Sequence, residues 1–268
     1  MKAEKTKVHF TDSYLLNPTN PITVNLIGAG GTGSKVLTAL MEMNHSLNEL
    51  GHAGLQVYLW DDDIITTANL GRQRFAESEV GLYKSVALIN RCNRFSGTNW
   101  KAKTRKFERD KFGETPDNTL ANLTITCVDN IKARFDVADI LEEETKRYYF
   151  RDYPLYWMDF GNSRHTGQVL LSTVGNISQP DSEKYETVAN LPFVTEEFGE
   201  LLKQSETEDD TPSCSLADAL KKQDLYINSA LTQMGCSLLW SLFRYGKTQY
   251  RGFFLNLGSY HAQPIKVA

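Results

Sequence analysis

Apolar runs and amphipathic stretches alternate along most of this chain, and the alternation predicts strands and helices in turn. Residues 22–27, 55–60 and 123–128 are dominated by apolar side chains, as expected for buried strands. Further strands are predicted at 154–161, 168–174, 252–257 and 263–267. Apolar residues at helical spacing predict helices at 34–44, at 84–95, from about 131 to 145, and at 225–243.

The order strand, helix, strand predicts an α/β fold, Rossmann-like, with a mostly parallel sheet and helices on both faces. We expect a single domain over residues 1–268. Its predicted parts are an N-terminal arm (1–21), a core (22–175), a crossover loop region with an acidic run at 206–210 (176–224), and a C-terminal helix and strands (225–268).

Composition excludes one large class of partner. The 268 residues include 29 basic and 33 acidic side chains, for a net charge of −4. A protein that binds nucleic acid by neutralising phosphates needs a basic excess, so we expect no nucleic acid. A small phosphate site is still compatible with this charge, because backbone N–H groups can build one.

Cysteine usage and hydropathy point to an intracellular protein without structural metal. The four cysteines are far apart and form no C-x-x-C pair, which argues against a zinc ribbon, a redox dithiol and a disulfide framework. No apolar run approaches 18 residues, and the first residues do not resemble a signal peptide. We therefore expect a cytoplasmic protein that has no zinc and no contact with a membrane.

Glycines after the first buried strand supply the first candidate chemistry. Gly28-x-Gly30-x-x-Gly33, with Gly31 inside it, lies between a predicted strand and a predicted helix. Such glycines permit a tight turn, close approach of the backbone to phosphate, and close packing of helix on strand. The following helix N-terminus offers unpaired N–H groups to an anion. The pattern predicts a nucleotide-binding loop and makes 22–175 the nucleotide-binding core.

Three aspartates end the second buried strand. In dinucleotide folds an acidic residue at this position binds the ribose hydroxyls. Side chains alternate along a strand, so at least one of Asp61, Asp62 and Asp63 is expected to face the crevice. This position alone leaves NAD, FAD and ATP equally allowed.

Charged residues beyond the aspartates favour a triphosphate. Arg72 and Lys84 are suited to neutralising phosphates and a pyrophosphate leaving group, whereas a dehydrogenase has no evident need of them. Asp129 follows another buried strand, where doubly wound sheets bind their ligands. A carboxylate there can hold Mg²⁺ that bridges phosphate oxygens.

At this point the sequence resembles the ThiF/MoeB/E1 family of activating enzymes. The motifs that carry the resemblance, besides the glycine loop, are D-x-D at 61–63, N-L-x-R-Q at 69–73, G-x-x-K at 81–84 and C-x-D-N-x-x-x-R at 127–134. The likeness runs from about residue 22 to 174 and more loosely into 225–243. Size and the form of the 69–75 segment are most similar to ThiF-like proteins of the plasmid-borne PRTRC system.

The resemblance implies a role for each matching residue. Gly28, Gly30, Gly31 and Gly33 would form the nucleotide loop, with Asp61 on the ribose and Asp63 beside it. The phosphates would be contacted by Asn69, Arg72 and Lys84, and Mg²⁺ would be held by Asp129. Gln73 is expected to orient neighbouring groups, and Asn130 and Arg134 to shape the 127–130 loop. For Arg134 a purely structural ion pair is an equal alternative.

The family's activity gives the expected function. Its members adenylate the C-terminal carboxylate of a small ubiquitin-like (β-grasp) protein with ATP and Mg²⁺, and they release pyrophosphate. The resemblance implies a homodimer with the same reaction here. The alternatives are a non-catalytic scaffold that binds a β-grasp partner, and an NAD-dependent oxidoreductase.

The sequence departs from the family pattern in two ways. Bacterial members carry an N-terminal arginine that reaches the phosphates across a dimer interface, but the first arginine here is Arg72, so that contact is absent or comes from another residue such as Arg74. The paired C-x-x-C zinc motifs are absent. Cys214 stands where relatives place a reactive cysteine, and it is either a thioester cysteine or an ordinary loop cysteine, whereas the other cysteines are expected to be buried.

Overall fold

The structure, a computed structural model, describes residues 5–70, 73–115, 119–144, 151–205 and 223–268. Its strands are β1 (Thr6–Phe10), β2 (Ile22–Ile27), β3 (Leu55–Trp60), β4 (Lys101–Lys103), β5 (Leu123–Thr126), β6 (Tyr156–Asn162), β7 (Thr166–Thr173), β8 (Tyr185–Thr187), β9 (Lys247–Thr248), β10 (Tyr250–Asn256) and β11 (His261–Lys266). Its α-helices are α1 (Ser13–Leu16), α2 (Gly33–Glu49), α3 (Lys84–Ser96), α4 (Ile131–Glu144), α5 (Val194–Glu197), α6 (Gly199–Ser205) and α7 (Ile227–Tyr245).

An eight-stranded sheet forms the centre, in the order β11-β10-β7-β6-β5-β2-β3-β4. The five strands from β6 to β4 pair in parallel, and the other three are antiparallel. The chain passes from β2 to β3 and β4 on one side and then returns to β5 on the other side of β2. Such a reversal opens a crevice at the carboxyl ends of the strands, which is where ligands bind in open α/β sheets.

Both faces of this sheet are covered, as alternate side chains on β6 demonstrate. Tyr156 and Met158 join one apolar core with residues of α2, α3 and α7. Trp157, between them, joins a second core with residues of α4, α5 and α6. Successive side chains on a strand point to opposite faces, so a strand buried on both sides is mostly apolar, and in β6 the buried Asp159 is the charged exception. The predicted α/β class with helices on both faces is confirmed.

The N-terminal residues are more structured than the predicted arm. β1 pairs in parallel with β8 and antiparallel with β9, forming a separate three-stranded sheet. His9 on β1 is fully buried and forms hydrogen bonds through its two ring nitrogens with Val188 O at 2.7 Å and Tyr156 Oη at 2.9 Å. These contacts attach the segment to the central sheet. No described helix is long and apolar enough to span a membrane.

Candidate nucleotide-binding site

The glycine loop is a tight turn between β2 and α2 that only glycine can form. Gly28 has a φ of +96°, and a Cβ there would lie 2.7 Å from the backbone oxygen of Cys127. A Cβ on Gly33 would lie 1.9 Å from the backbone oxygen of Gly28. Both obstacles are backbone atoms, so neither can move aside cheaply. The glycines at 28 and 33 are therefore required by the conformation and by close packing of α2 on the sheet.

Gly30 and Gly31, which lie between Gly28 and Gly33, differ in what surrounds them. A Cβ on Gly30 would meet no atom within 4 Å among the described residues, so this position borders open space. A Cβ on Gly31 would lie 2.3 Å from Nδ2 of Asn228 on α7. The first helical bond of α2 runs from Ser34 N to Gly30 O at 3.1 Å. N–H groups that precede it have no acceptor within the helix and are the groups that bind anions at such termini.

Asp61 is tied directly to this loop. One carboxylate oxygen accepts a hydrogen bond from Ala29 N at 2.6 Å, and the other accepts one from Asp63 N at 3.0 Å. Burial raises the pKa of Asp61 to about 6, although the Ala29 hydrogen bond and the positive charge of Lys84 both act to lower it. Each oxygen accepts one of these bonds and has a second lone pair. A half-buried carboxylate with spare acceptor sites fits the ribose role that the resemblance implies.

Asp63 and Lys84 form a pair at the same edge of the sheet. Lys84 Nζ donates to Asp63 Oδ2 at 2.6 Å, and Lys84 N donates to Asp63 O at 2.9 Å. The lysine side chain is only 9% exposed, whereas that of Asp63 is 65% exposed. The buried stem fixes the position of the ammonium group, and the exposed carboxylate is the partner that a bound phosphate would have to replace.

Asn69 and Gln73 shape the segment that follows. The Oδ1 atom of Asn69 accepts hydrogen bonds from Thr66 N at 2.8 Å and Thr66 Oγ1 at 3.1 Å, which closes a 3₁₀ turn at Thr67–Asn69. Gln73 is buried, and its Oε1 atom has no hydrogen-bond partner among the described residues. A buried acceptor without a donor costs free energy, and this one is available to a donor from a ligand or a neighbouring side chain.

The loop after β5 carries Asp129 on a buried support. Asp129 and Asn130 are both exposed, and Asn130 Oδ1 accepts a hydrogen bond from Ala133 N at 2.8 Å at the start of α4. Below them the buried Arg134 donates to Asp159 at 3.0 Å and to the backbone oxygen of Val128 at 2.8 Å. Arg134 is thus a buried ion-pair partner that also contacts the loop. The ion pair with Asp159 matches the structural alternative, and the hydrogen bond to Val128 O matches the role of shaping the 127–130 loop.

Two residues at the loop were not assigned from the sequence. Lys35, in the first turn of α2, places Nζ 3.1 Å from Gly31 O. A cation at a helix N-terminus opposes the helix dipole, so a bound anion would relieve an unfavourable arrangement. Asn228 on α7 accepts a hydrogen bond from Thr32 Oγ1 at 2.9 Å. The only signal in the sequence is an amide side chain in an otherwise apolar helix, which does not identify its partner.

Some predicted residues fall elsewhere. Arg72 and Cys214 lie outside the described residues, as does the acidic run at 206–210. Cys92 and Cys236 are buried, as predicted, and burial raises the pKa of the Cys236 thiol to about 12. Cys127 as a whole residue is half-buried. Desolvation nevertheless raises the pKa of its thiol well above the usual value. None of these three thiols has the lowered pKa of a reactive cysteine.

Magnesium fits the site only together with a phosphate ligand. Among the described residues, no three His, Cys, Asp or Glu side chains come together as a metal site. Asp129 by itself supplies one exposed carboxylate. Mg²⁺ is commonly held by one or two carboxylates plus substrate phosphates and water, so a single carboxylate beside a triphosphate loop is a sufficient protein contribution.

The sequence profile of the ThiF family matches residues 17–266, and the chain belongs to this family. The matched range includes the glycine loop, the aspartates after β3, the loop after β5 and helix α7. A comparison with curated protein sequences finds no significant match.

Solved structures with the same fold include two proteins. A crystal structure of PaaA shares 12% identity at a TM-score of 0.58, with 92% of this chain and 64% of that chain covered. E. coli MccB in complex with MccA shares 14% identity at a TM-score of 0.58, with 95% and 66% covered. MccB was also solved with ATP, at a TM-score of 0.54 and 13% identity over 94% of this chain and 64% of MccB. The chain thus spans slightly less than two thirds of these proteins, and the likeness establishes the fold.

Proposed function

We propose that this protein activates a carboxylate by adenylation with ATP, releasing pyrophosphate. The observation that carries the proposal is the arrangement at the carboxyl ends of β2, β3 and β5. There a glycine loop bonded to Asp61 stands beside a buried Lys84 and an exposed Asp129. A dinucleotide-dependent oxidoreductase would need the loop and Asp61, but its reaction would give no role to Lys84 or Asp129.

Each group has a role that its chemistry supports. The N–H groups of the glycine loop would bind phosphate oxygens, and Asp61 would accept from the ribose hydroxyls. Lys84 and Arg72 would neutralise the charge that develops on the leaving pyrophosphate, and Asn69 would contact the phosphates. Lys35 stands close enough to the loop to supply the cation that an N-terminal arginine gives to other family members. Asp129 would hold Mg²⁺, which when bound screens the phosphate charges.

The proposed reaction requires positioning more than proton transfer. A carboxylate is ionised at neutral pH, so it can attack the α-phosphate without a protein base. Two anions must nevertheless approach each other in line, and bringing them together is costly without neutralising groups. The cationic side chains at the sheet edge are suited to this task. Gln73 and Asn130 would hold the surrounding loops in place.

The proposed substrate is the C-terminus of a small ubiquitin-like (β-grasp) protein, and the proposed assembly is a homodimer. The test is ATP–pyrophosphate exchange measured with and without a candidate β-grasp protein. Exchange that depends on the partner supports an activating enzyme. Partner binding without exchange supports the non-catalytic scaffold. A candidate whose terminal glycine carboxylate is amidated is the control, since it cannot form an adenylate.

MgATP is expected to stabilise the protein, and NAD is not. A ligand that binds only the folded state at about 100 times its Kd adds about 2.7 kcal/mol to the free energy of unfolding. The shift in the thermal midpoint measures this directly. Stabilisation by NAD with none by MgATP would contradict the assignment of the site.

Affinity for ATP is expected to fall as the pH is lowered through about 6. The pKa of Asp61 in the free protein is about 6, so its carboxylate is mostly ionised at pH 7 and mostly protonated at pH 5. A proton on either oxygen removes an acceptor site that the ribose needs. The Kd for ATP should therefore rise about tenfold from pH 7 to pH 5 beyond any titration of the triphosphate.

The control for this pH effect is 2′,3′-dideoxy-ATP, which has the same triphosphate but no ribose hydroxyls. Its binding should be weaker at pH 7, and the affinity ratio between the two nucleotides should shrink at pH 5. A ratio that stays constant over this range would show that Asp61 does not bind the ribose.

Cys214 is proposed to carry the activated partner as a thioester after adenylation. The carboxylate attack on ATP does not involve this thiol, so Cys214→Ser should keep partner-dependent exchange. It should lose a thiol-sensitive conjugate on a non-reducing gel. If the unmodified protein forms no conjugate, or the variant forms it equally well, the reaction ends at the adenylate.

A further inference from the structure

We infer that Asn228 is a positioning residue for the nucleotide loop, acting on Gly31 and Thr32 from the start of α7. The inference rests on the proposed nucleotide site and adds a residue from a distant part of the chain. Thr32 and Asn228 are 196 residues apart in sequence, yet their side chains are hydrogen-bonded at 2.9 Å. Asn228 is 1% exposed, so it makes these contacts inside the protein.

The contacts of Asn228 use both ends of its amide. Its Oδ1 atom accepts from the Thr32 hydroxyl, and its Nδ2 atom donates to Gln223 Oε1 at 2.9 Å. Breaking either bond would leave a buried polar atom unpaired, which is costly. The amide is therefore held in one position. A rigid group at this place can in turn fix the loop that touches it.

Thr32 shows that the loop, not the helix, benefits from this bond. It occupies the N-cap position of α2, where threonine usually accepts a hydrogen bond from the helix backbone. Here the side chain makes no capping bond. Its hydroxyl donates its one proton to Asn228 at 2.9 Å, and Asn162 Oδ1 on β6 is farther away, at 3.5 Å. The loop is thus joined to α7.

The contact with Asn228 also accounts for the glycine at position 31. It has no positive φ and is not one of the three fingerprint glycines, so backbone conformation does not require it. What a Cβ at this position would meet is Nδ2 of Asn228, at 2.3 Å. Glycine at 31 therefore allows the amide to pack against the loop backbone. An alanine there would push Asn228 away from Thr32 and Gln223.

The test is a rescue experiment with Gly31→Ala, Asn228→Ala and the double variant, read out as the Kd for MgATP well below the thermal midpoint. Each single change should weaken ATP binding about tenfold, because each breaks the same contact. The double variant should bind no more weakly than Asn228→Ala alone, since the added Cβ then meets no amide. Thr32→Val should also weaken binding, whereas Thr32→Ser, which keeps the hydroxyl, should not.

Gly33→Ala is the matched control, because its Cβ would collide with backbone, at Gly28 O. Removing the Asn228 side chain cannot relieve that collision, so Gly33→Ala/Asn228→Ala should show additive losses. If Asn228 only braces α7, Asn228→Ala lowers the thermal midpoint and leaves the Kd unchanged, which overturns the inference. So does a double variant at 31 and 228 whose losses add. Failure of the unmodified protein to bind ATP overturns the proposed function as well.

Discussion

Asp129→Asn is expected to lower Mg²⁺-dependent pyrophosphate exchange by about 100-fold or more, on the scale of losing one preorganised electrostatic group. The substitution keeps the size of the side chain and removes the charge that would hold the metal. The side chain of Asp129 is exposed, whereas the strand before it is buried through its own residues. The substitution should therefore leave the fold intact. Exchange rates over a Mg²⁺ titration and a thermal melt measure the two effects separately.

Asp62→Asn is the matched control for this experiment. Asp62 is also an exposed carboxylate at the carboxyl end of a parallel strand in the same sheet, but the proposal gives it no contact with the ligand. Exchange should stay within about twofold of the unmodified rate, as is usual for surface changes away from a site. Equal losses in both variants would indicate a general effect of negative charge. Unchanged exchange in Asp129→Asn would show that Asp129 is not the metal ligand.

Sequence patterns located the elements that are defined by their own residues. β2 and β3 begin and end where the apolar runs do, and α3 begins at the predicted residue 84. Apolar residues dominate both strands because most of their side chains are buried, and a glycine or an aspartate follows each strand. The glycine loop and Asp61 could be predicted as site residues because they stand directly after these strands, and ligands bind where such strands end.

Elements that exist only through partners elsewhere in the chain were missed. β4 is the three residues Lys101–Lys103, with no apolar pattern, and it is a strand because β3 offers it an edge. β1 likewise depends on β8 and β9, which come much later in the sequence. A period-2 pattern needs several residues to be recognised, and pairing between distant segments leaves no local trace.

The roles of the aspartates after β3 could not be told apart from the sequence pattern either. Alternation along the strand places Asp61 and Asp63 on the same side, but it does not say which of them contacts the glycine loop. Their partners do so, since Asp61 accepts from Ala29 N and Asp63 accepts from Lys84. The position of Asn228 opposite Thr32 was equally inaccessible, because it depends on how α7 packs beside α2.

Arg134→Met is expected to cost about 3–5 kcal/mol of the free energy of unfolding, the loss that follows when one partner of a buried ion pair is removed. The side chains of Arg134 and Asp159 are 6% and 1% exposed. Without the guanidinium, Asp159 would keep a hydrogen bond from Thr126 Oγ1 but would be a buried charge without a counter-charge. Urea unfolding of the variant and the unmodified protein measures the difference.

A second variant separates this stability effect from the role of Arg134 in the site. In Arg134→Met/Asp159→Leu neither charge is buried, and apolar replacements of buried ion pairs are often tolerated, so much of the stability should return. Exchange should not return, because Val128 O loses the donor that holds the loop below Asp129. A double variant that is stable and exchanges at the unmodified rate would make the pair purely structural. One that is no more stable than Arg134→Met would show that the uncompensated carboxylate is not the cause of the loss.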